Sequence, residues 1–189
     1  MAACGERNAI LNQGETVTYR ELNGRANAVA RSLIAAGFRR GAHAVVCMPR
    51  GIDLAVVLLA ILKAGGSYTW FDPASGPDGY PSGISIRVGR HTAEDQFQSI
   101  DVNRLLDAGA QATPNLPILS RGSDIACVLP DADGTPAVLV PHGTIASMIE
   151  RPLPQAGRWA GEAGAVDLWL GLISGATVTV DDQPAVAAA

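Results

Sequence analysis

The residues best suited to chemistry in this chain are few, and most lack the neighbours that chemistry needs. Ser174 lies in Ile173-Ser174-Gly175, without the Gly-x-Ser-x-Gly elbow of a hydrolase nucleophile. Cys4, Cys47 and Cys127 are odd in number and widely spaced, which suggests neither a disulfide framework nor a zinc site. Cys47 and Cys127 sit inside apolar runs and read as buried thiols, not nucleophiles. His43 opens an apolar run and His91 falls in a loop-like stretch, so both read as structural or solvated. Of the 14 Lys plus Arg, Lys63 is the only lysine, which excludes any chemistry that needs two lysines within this chain. Asp181-Asp182 is a charge pair at a strand exit and reads as a solvated end.

The elements that must position these groups are set by periodicity. Ala9 to Asn12 and Val17 to Tyr19 flank Gln13-Gly14-Glu15 as strand, tight turn and strand. Thr18 precedes Glu21 by three residues, the spacing of a capping box. Apolar positions then recur at three and four from Leu22 through Ile34, giving a helix with one buried face, closed by Gly37. Ala42 to Met48 reads as a buried strand and Leu54 to Ala64 as a helix apolar nearly all round, stopped by Gly65-Gly66. Ser67 to Phe71 is a further strand. This alternation predicts right-handed crossovers onto a mainly parallel sheet.

Downstream the signals thin out. Ala74 to Ser82 reads as a long loop, Ile84 to Val88 as a strand, Val102 to Ala108 as two helical turns, and Ala112 to Gly122 as irregular connection. Ile125 to Leu129 and Ala137 to Val140 form a hairpin around Pro130-Asp131-Ala132-Asp133-Gly134-Thr135. His142 to Glu150 looks helical, Pro152 to Gly164 is weakly patterned, Val166 to Ile173 is a last apolar helix, and Ala176 to Val180 a final strand. The tail Pro184 to Ala189 has nothing to pack and is expected to fray.

Composition removes whole classes of function. A formal net charge of -4 with 17% charged residues opposes a broad basic face for nucleic acid. The longest apolar run, Leu54 to Leu62, is about half a membrane span, so no membrane partner is expected. With no basic-then-apolar leader, the expected location is the cytoplasm. At 48% apolar residues the chain can bury a sizeable core.

Thr18-Tyr19-Arg20-Glu21-Leu22-Asn23 with Ala26-Asn27 resembles the opening "TYxEL…AN" motif of adenylate-forming enzymes. Leu62-Lys63-Ala64-Gly65-Gly66-Ser67-Tyr68, then Phe71-Asp72-Pro73, resembles their "LKAGxAYVPxDP" motif. The branch most similar is the adenylation domains of nonribosomal peptide synthetases, whose N-terminal part alone is matched. Asp124 to Val128 resembles the strand before the family's phosphate loop, and Pro136 with Val138 to His142 resembles the segment after that loop. Trp169 through Leu172 to Thr177 looks like the "W…LLxGAT" segment. The resemblance implies an α/β fold, residues 1–183 being one truncated adenylation-like domain. Its parts are a motif-rich stretch 9–73, a degenerate phosphate-loop region 124–142, a last helix and strand within 166–180, and the frayed tail 184–189.

The departures bear on activity. In active members the loop reads T-S-G-[ST]-T-G-x-P-K-G, which wraps the ATP phosphates and adds a lysine charge. The corresponding stretch, Asp131, Ala132, Asp133, Gly134, Thr135 and Pro136, is two or three positions shorter, and Ala137 stands where lysine or glycine is expected. Two carboxylates ~5 Å from a phosphate oppose its binding by a few kcal/mol at an effective dielectric near 20. The family's "YGPTE"-like motif, ribose-binding aspartate and lid lysine have no counterpart before Ala189. His142, Asp167 and Trp169 fall where the resemblance places substrate-pocket residues and are the candidates for a relic of that pocket, against the alternative readings of His142 as a helix-start histidine and of Trp169 as core or interface, which are the ones preferred here. The expectation is therefore a non-catalytic adenylation-like module of nonribosomal peptide (natural-product, antibiotic) biosynthesis, leaning away from being an enzyme, with no catalytic residue, no metal and no cofactor. Its expected partners are a second copy, a synthetase domain or a carrier protein, met around Val166 to Ile173 and Ala176 to Val180. The alternatives are half of a split ligase completed in trans, which would take ATP and Mg, and a small amino- or acyl-ligand binding module.

Overall fold

The computed structural model describes residues 5–71, 86–89, 98–101, 106–107, 114–130, 136–147, 157–159 and 166–180. Strands β1 (Asn8–Asn12) and β2 (Glu15–Thr18) form the expected hairpin, with Gln13 and Gly14 at positive φ in its turn. Helix α1 (Tyr19–Ala35) starts at Thr18, whose hydroxyl accepts from Glu21 N–H at 3.2 Å while the Glu21 carboxylate accepts from Thr18 N–H at 2.8 Å. This reciprocal box satisfies donors that the first turn would otherwise leave open, and holds the Glu21 carboxyl below its usual range.

Strand β3 (His43–Cys47), helix α2 (Ile52–Lys63) and strand β4 (Ser67–Phe71) make a parallel crossover, with His43 paired to Ser67 and Cys47 to Phe71. Gly66 is required between α2 and β4. A Cβ there would run into the Phe38 ring and come within 2.8 Å of the Ala42 carbonyl oxygen. The remaining elements are β5 (Ile86–Gly89), β6 (Gln98–Asp101), β7 (Ile125–Pro130), β8 (Pro136–Pro141), α3 (His142–Ser147), β9 (Arg158–Trp159), α4 (Val166–Ile173) and β10 (Val178–Val180).

The α/β class and mainly parallel pairing stand as expected, but the strands divide into two sheets. The larger has the order β6-β5-β3-β4-β7-β8 and is parallel except for the β7–β8 hairpin. The smaller has the order β2-β1-β10-β9, where Ile10 pairs with Val178 in parallel across nearly the whole chain. A second sheet forms because β1 is used by the last strand and not by β3. β10 therefore lies between β1 and β9 as an interior strand of the smaller sheet.

Local expectations fared unevenly. β6 and β9 were not anticipated, and the helix starting at His142 is described to Ser147. Ala74 to Ser82 and the tail Pro184 to Ala189 lie outside the described residues, as does most of Val102 to Ala108.

One core unites the layers. α1 packs on α2, and Leu22, Val29, Leu33, Leu54, Leu58, Ile61, Ile10, Trp159 and Leu168 are all at or near zero exposure. The Tyr19 hydroxyl lies 3.0 Å from the Leu172 carbonyl oxygen and 2.6 Å from that of Ala176, tying α1 to the turn after α4. Residues 114–120 run without regular structure over the α1–α2 seam. Asn115 accepts there from the side-chain amides of Asn23 and Asn27 at 2.9 and 3.0 Å. Among the described residues no helix is long and apolar enough to cross a membrane.

Candidate functional site

The connection between β7 and β8 occupies the position of the expected phosphate loop. Pro130 and Pro136 are Cα partners at the end of the hairpin, and Cys127 on β7 pairs with Tyr68 on β4. The loop is thus hung from one edge of the larger sheet, whose last two strands are β7 and β8. Pro136 opens β8, while Asp131, Asp133, Gly134 and Thr135 lie outside the described residues.

His142 begins α3 directly after β8. Its N–H donates to the Asp124 carbonyl at 3.0 Å, and the N–H of Gly143 donates to that of Gly122 at 2.8 Å. A Cβ on residue 143 would sit 2.9 Å from the Gly122 oxygen, so glycine is needed for this approach. Burial pushes the His142 imidazole below its usual pKa, and the nearby Asp124 carboxylate only partly offsets that. Its Nε2 is buried with no hydrogen-bond partner among the described residues. Asp124 itself accepts from the Arg121 N–H at 2.9 Å and from Arg40 at 3.1 Å, which together hold its carboxyl down. His142 is thus a neutral imidazole at pH 7 and supplies no charge to an anion.

Helix α4 carries the other expected pocket residues, and α3 packs against it. Trp169 is buried, its indole N–H donating to the Tyr68 hydroxyl at 2.6 Å with the rings 6.5 Å apart and tilted by 52°. The Tyr68 hydroxyl also meets Cys127; burial drives the phenol well up and the thiol to about 11. Cys127 is therefore no nucleophile, as its apolar run suggested. Trp169 belongs to the core. Asp167 is half-buried and its carboxyl is raised by desolvation, which Arg50 partly counters. No hydrogen bond among the described residues joins His142 to Asp167 or Trp169.

Sequence reasoning missed the cluster centred on Arg50, whose charge acts on Asp167. The Arg50 guanidinium lies 5.3 Å from the Trp70 ring centroid and 5.8 Å from that of Trp159, and the two rings are 5.9 Å apart. Trp70 donates to the Met48 carbonyl at 2.9 Å, while Trp159 is wholly buried. This stack bridges the two sheets at the carboxyl ends of β3 and β4. A signal did exist: the chain has only 3 tryptophans, and an arginine directly follows a strand and a proline.

The remaining candidates are structural. His43 bonds Ser67 at 2.9 Å through Nδ1 and Thr69 at 3.0 Å through Nε2, while burial lowers its pKa. Lys63 donates to Asn23 Oδ1 at 2.9 Å at the end of α2, and burial lowers its pKa too. Ser174 donates to the Gly171 carbonyl at 2.8 Å. Among the described residues no group of His, Cys, Asp or Glu could hold a metal ion. His91 lies outside them.

Comparison with known proteins agrees with this fold. Residues 1–83 match the AMP-binding enzyme family. The chain is 29% identical over 192 residues to surfactin synthase subunit 2 of Bacillus subtilis, covering 90% of this chain and 5% of that protein. It is 26% identical over 200 residues to bacitracin synthase 1 of Bacillus licheniformis, covering 96% of this chain and 4% of that one. Among solved structures, the NpsA–ThdA adenylation–PCP di-domain of Klebsiella oxytoca aligns with a TM-score of 0.77 at 20% identity, over 95% of this chain and 37% of that one. The N-terminal subdomain of NpsA, in complex with 3-hydroxyanthranilyl-AMSN, aligns at 0.75 and 22% identity, over 95% of this chain and 50% of that one. The chain thus spans a small fraction of its curated relatives and half or less of these two structures.

Proposed function

The chain belongs to the AMP-binding family of adenylate-forming enzymes and has the N-terminal subdomain fold of nonribosomal peptide synthetase adenylation domains; from that premise we propose that it serves peptide assembly as a structural or docking module without adenylating activity. The observation that carries this reading is the β7–β8 connection. Its two ends are fixed by the Pro130–Pro136 pairing, and between them the sequence has two carboxylates, one glycine and one hydroxyl, with no lysine. Negative groups at that spot repel a triphosphate. The neutral His142 adds no compensating charge, and Lys63 is engaged with Asn23. ATP and Mg are accordingly not its cofactors. Its partner is a synthetase domain, a carrier protein or a second copy.

The test is amino-acid-dependent exchange of pyrophosphate into ATP, together with a calorimetric titration of ATP. No exchange above the enzyme-free blank is expected with any proteinogenic amino acid. Binding should be weaker than millimolar, less than about 4 kcal/mol. Micromolar ATP affinity would overturn the reading, and would favour a split ligase completed in trans with ATP and Mg.

A second reading draws on one observation: the NpsA subdomain was solved in complex with an aryl-AMSN. A small-ligand module would keep such a pocket near His142, Asp167 and Trp169. Trp169, however, is already bonded to Tyr68 inside the core. A rise in melting temperature with an amino or aryl acid, in the absence of ATP, would favour this second reading.

A further inference from the structure

We propose that the strap over the α1–α2 seam, residues 114–121, docks an acidic amphipathic segment of a partner protein. Guanidinium groups line it. Arg31 donates to the Pro114 carbonyl at 3.0 Å, where the strap begins. Arg40 and the Arg121 N–H both reach the Asp124 carboxylate, at 3.1 and 2.9 Å, where it ends. Arg39, next to Arg40, donates to the Ile34 carbonyl at 3.4 Å. All of these arginines are exposed. Among the described residues, the side chains of Arg31, Arg39 and Arg121 have no carboxylate oxygen within 4.0 Å. Residues 108–113, which lead into the strap, bring no charged group by sequence.

These cations stand against the sign of the whole chain, whose formal net charge is -4. Arg31, Arg39 and Arg40 are each steadied by a bond to their own chain, and a guanidinium carries several further N–H donors for solvent or a partner. A steadied fork loses little entropy on meeting a carboxylate, and the bidentate pair it forms is among the strongest contacts it can make. Between the two ends stands Ile118, 94% exposed and the barest large hydrophobic among the described residues. Its position is fixed from both sides. Asn115 accepts from Asn23 and Asn27, Ser120 donates to the Leu62 carbonyl at 3.3 Å, and Leu119 closes on Gly65 beside Arg40. Leu116 packs against the core while Ile118 is turned outward.

An apolar side chain set among held cations selects its occupant. A nucleic acid would carry its charge well beyond this face, onto a chain of the same sign, and its phosphates have nothing to set on Ile118. A membrane surface calls for a broader apolar face than one isoleucine. A helix with carboxylates flanking an apolar stripe satisfies both the arginines and Ile118. The strap reaches at most about 25 Å, the length of about 16 helical residues. This surface differs from the Val166 to Ile173 and Ala176 to Val180 region expected from sequence, where β10 is interior and Leu168 and Trp169 are buried. The inference deepens the docking reading and rests on it, yet the two fail separately: the ATP titration addresses nucleotide, and the titration below addresses this face alone.

Fluorescence anisotropy provides the test, with the 189-residue chain titrated into a labelled amphipathic helical peptide built from Glu and Leu. A counterpart with Lys in place of Glu is titrated beside it. The expected result is saturable binding of the acidic peptide only, weakened about tenfold or more as salt rises from ~0.05 to ~0.5 M. Arg39→Glu and Arg121→Glu should each weaken it about tenfold, and Ile118→Ser about fivefold. Arg20→Glu, the same change of charge in the first turn of α1, should leave it within about twofold. Matching circular-dichroism melts confirm that the variants fold. No binding overturns the proposal, as does equal binding of the two peptides, or binding indifferent to the changes at 39, 118 and 121. An oligonucleotide or an anionic lipid vesicle that binds more tightly than the peptide, with the same arginine dependence, also overturns it and assigns the face to that anion. Sedimentation showing a dimer that Arg39→Glu dissolves would instead assign it to a second copy.

Discussion

The α1–α2 corner and the β7–β8 hairpin treat their polar and apolar groups in opposite ways. At the corner, Lys63 donates to Asn23, Asn23 and Asn27 donate to Asn115, and Arg31 donates to the Pro114 carbonyl at 3.0 Å. The apolar faces beneath are closed by α2, whose Leu54 to Leu58 have no exposure. At the hairpin, Val138 and Leu139 face solvent and the His142 Nε2 beside it has no partner among the described residues. Beneath its surface, the first region is finished by its own chain. The second leaves apolar surface and hydrogen-bonding capacity unmatched among the described residues.

The widest gap between the two regions should appear in stability. Leu58→Ala removes a fully buried side chain from the middle of α2 and should cost about 2–5 kcal/mol. Val138→Ala should change the monomer by no more than about 0.5 kcal/mol. Urea unfolding at a concentration where the chain is monomeric measures both. Comparable losses would mean that the hairpin is as tightly integrated as the corner, and the contrast would fail.

A smaller effect probes the seam between them. Tyr68→Phe leaves the buried Trp169 N–H without its 2.6 Å acceptor, which should cost about 1–3 kcal/mol. It also removes the hydroxyl beside Cys127. Native Cys127, with its thiol near 11, should resist alkylation at pH 7.5 until the chain unfolds. Mass-resolved labelling should show faster modification in the variant. Unchanged stability and unchanged labelling would mean that the Tyr68–Trp169 contact does not join sheet to helix. Smaller again, Thr18→Ala should cost about 1 kcal/mol by opening the capping box, read as a lower urea midpoint at unchanged slope.

How much of this was legible in the sequence depends on how locally each feature is written. The capping box needs only Thr18 and Glu21, and α2 only an unbroken apolar run, so both could be read directly. The Gly66 turn was equally visible, although Phe38, the reason a side chain is forbidden there, was not. The division into two sheets depends on Ile10 meeting Val178, which no local pattern encodes. β9 is two residues long, too short for any periodicity. The Arg50 stack joins residues 50, 70 and 159 through long-range packing, so it shows in sequence only as a scarcity of tryptophan and an arginine placed just after a strand and a proline. Among the expected pocket residues, Trp169 and Asp167 were placed on the right helix, but Trp169's bond to Tyr68 depends on β4 and α4 facing each other.

Smallest of all should be the pH response, which samples both regions at once. His43 lies in the core half and His142 beside the hairpin, and burial lowers the pKa of each below 6.5. The unfolded chain then binds more protons than the folded one as pH falls through about 6.5, so stability rises with pH across this window and drains away below it. The carboxylates act elsewhere. Glu21 and Asp124 are held below their ordinary values, so the stability they contribute is lost only at stronger acidity. Asp167, raised by burial, has the opposite sign: the fold favours its protonated form, and that contribution fades as pH rises through its own pKa. Melting temperatures between pH 7.5 and 5.5 should therefore decline modestly, because both imidazoles keep some access to solvent. His43→Gln and His142→Gln should each flatten part of that slope, and the double variant most of it. A slope unaltered by both substitutions would place the proton uptake in other groups and leave the two regions with no shared titration.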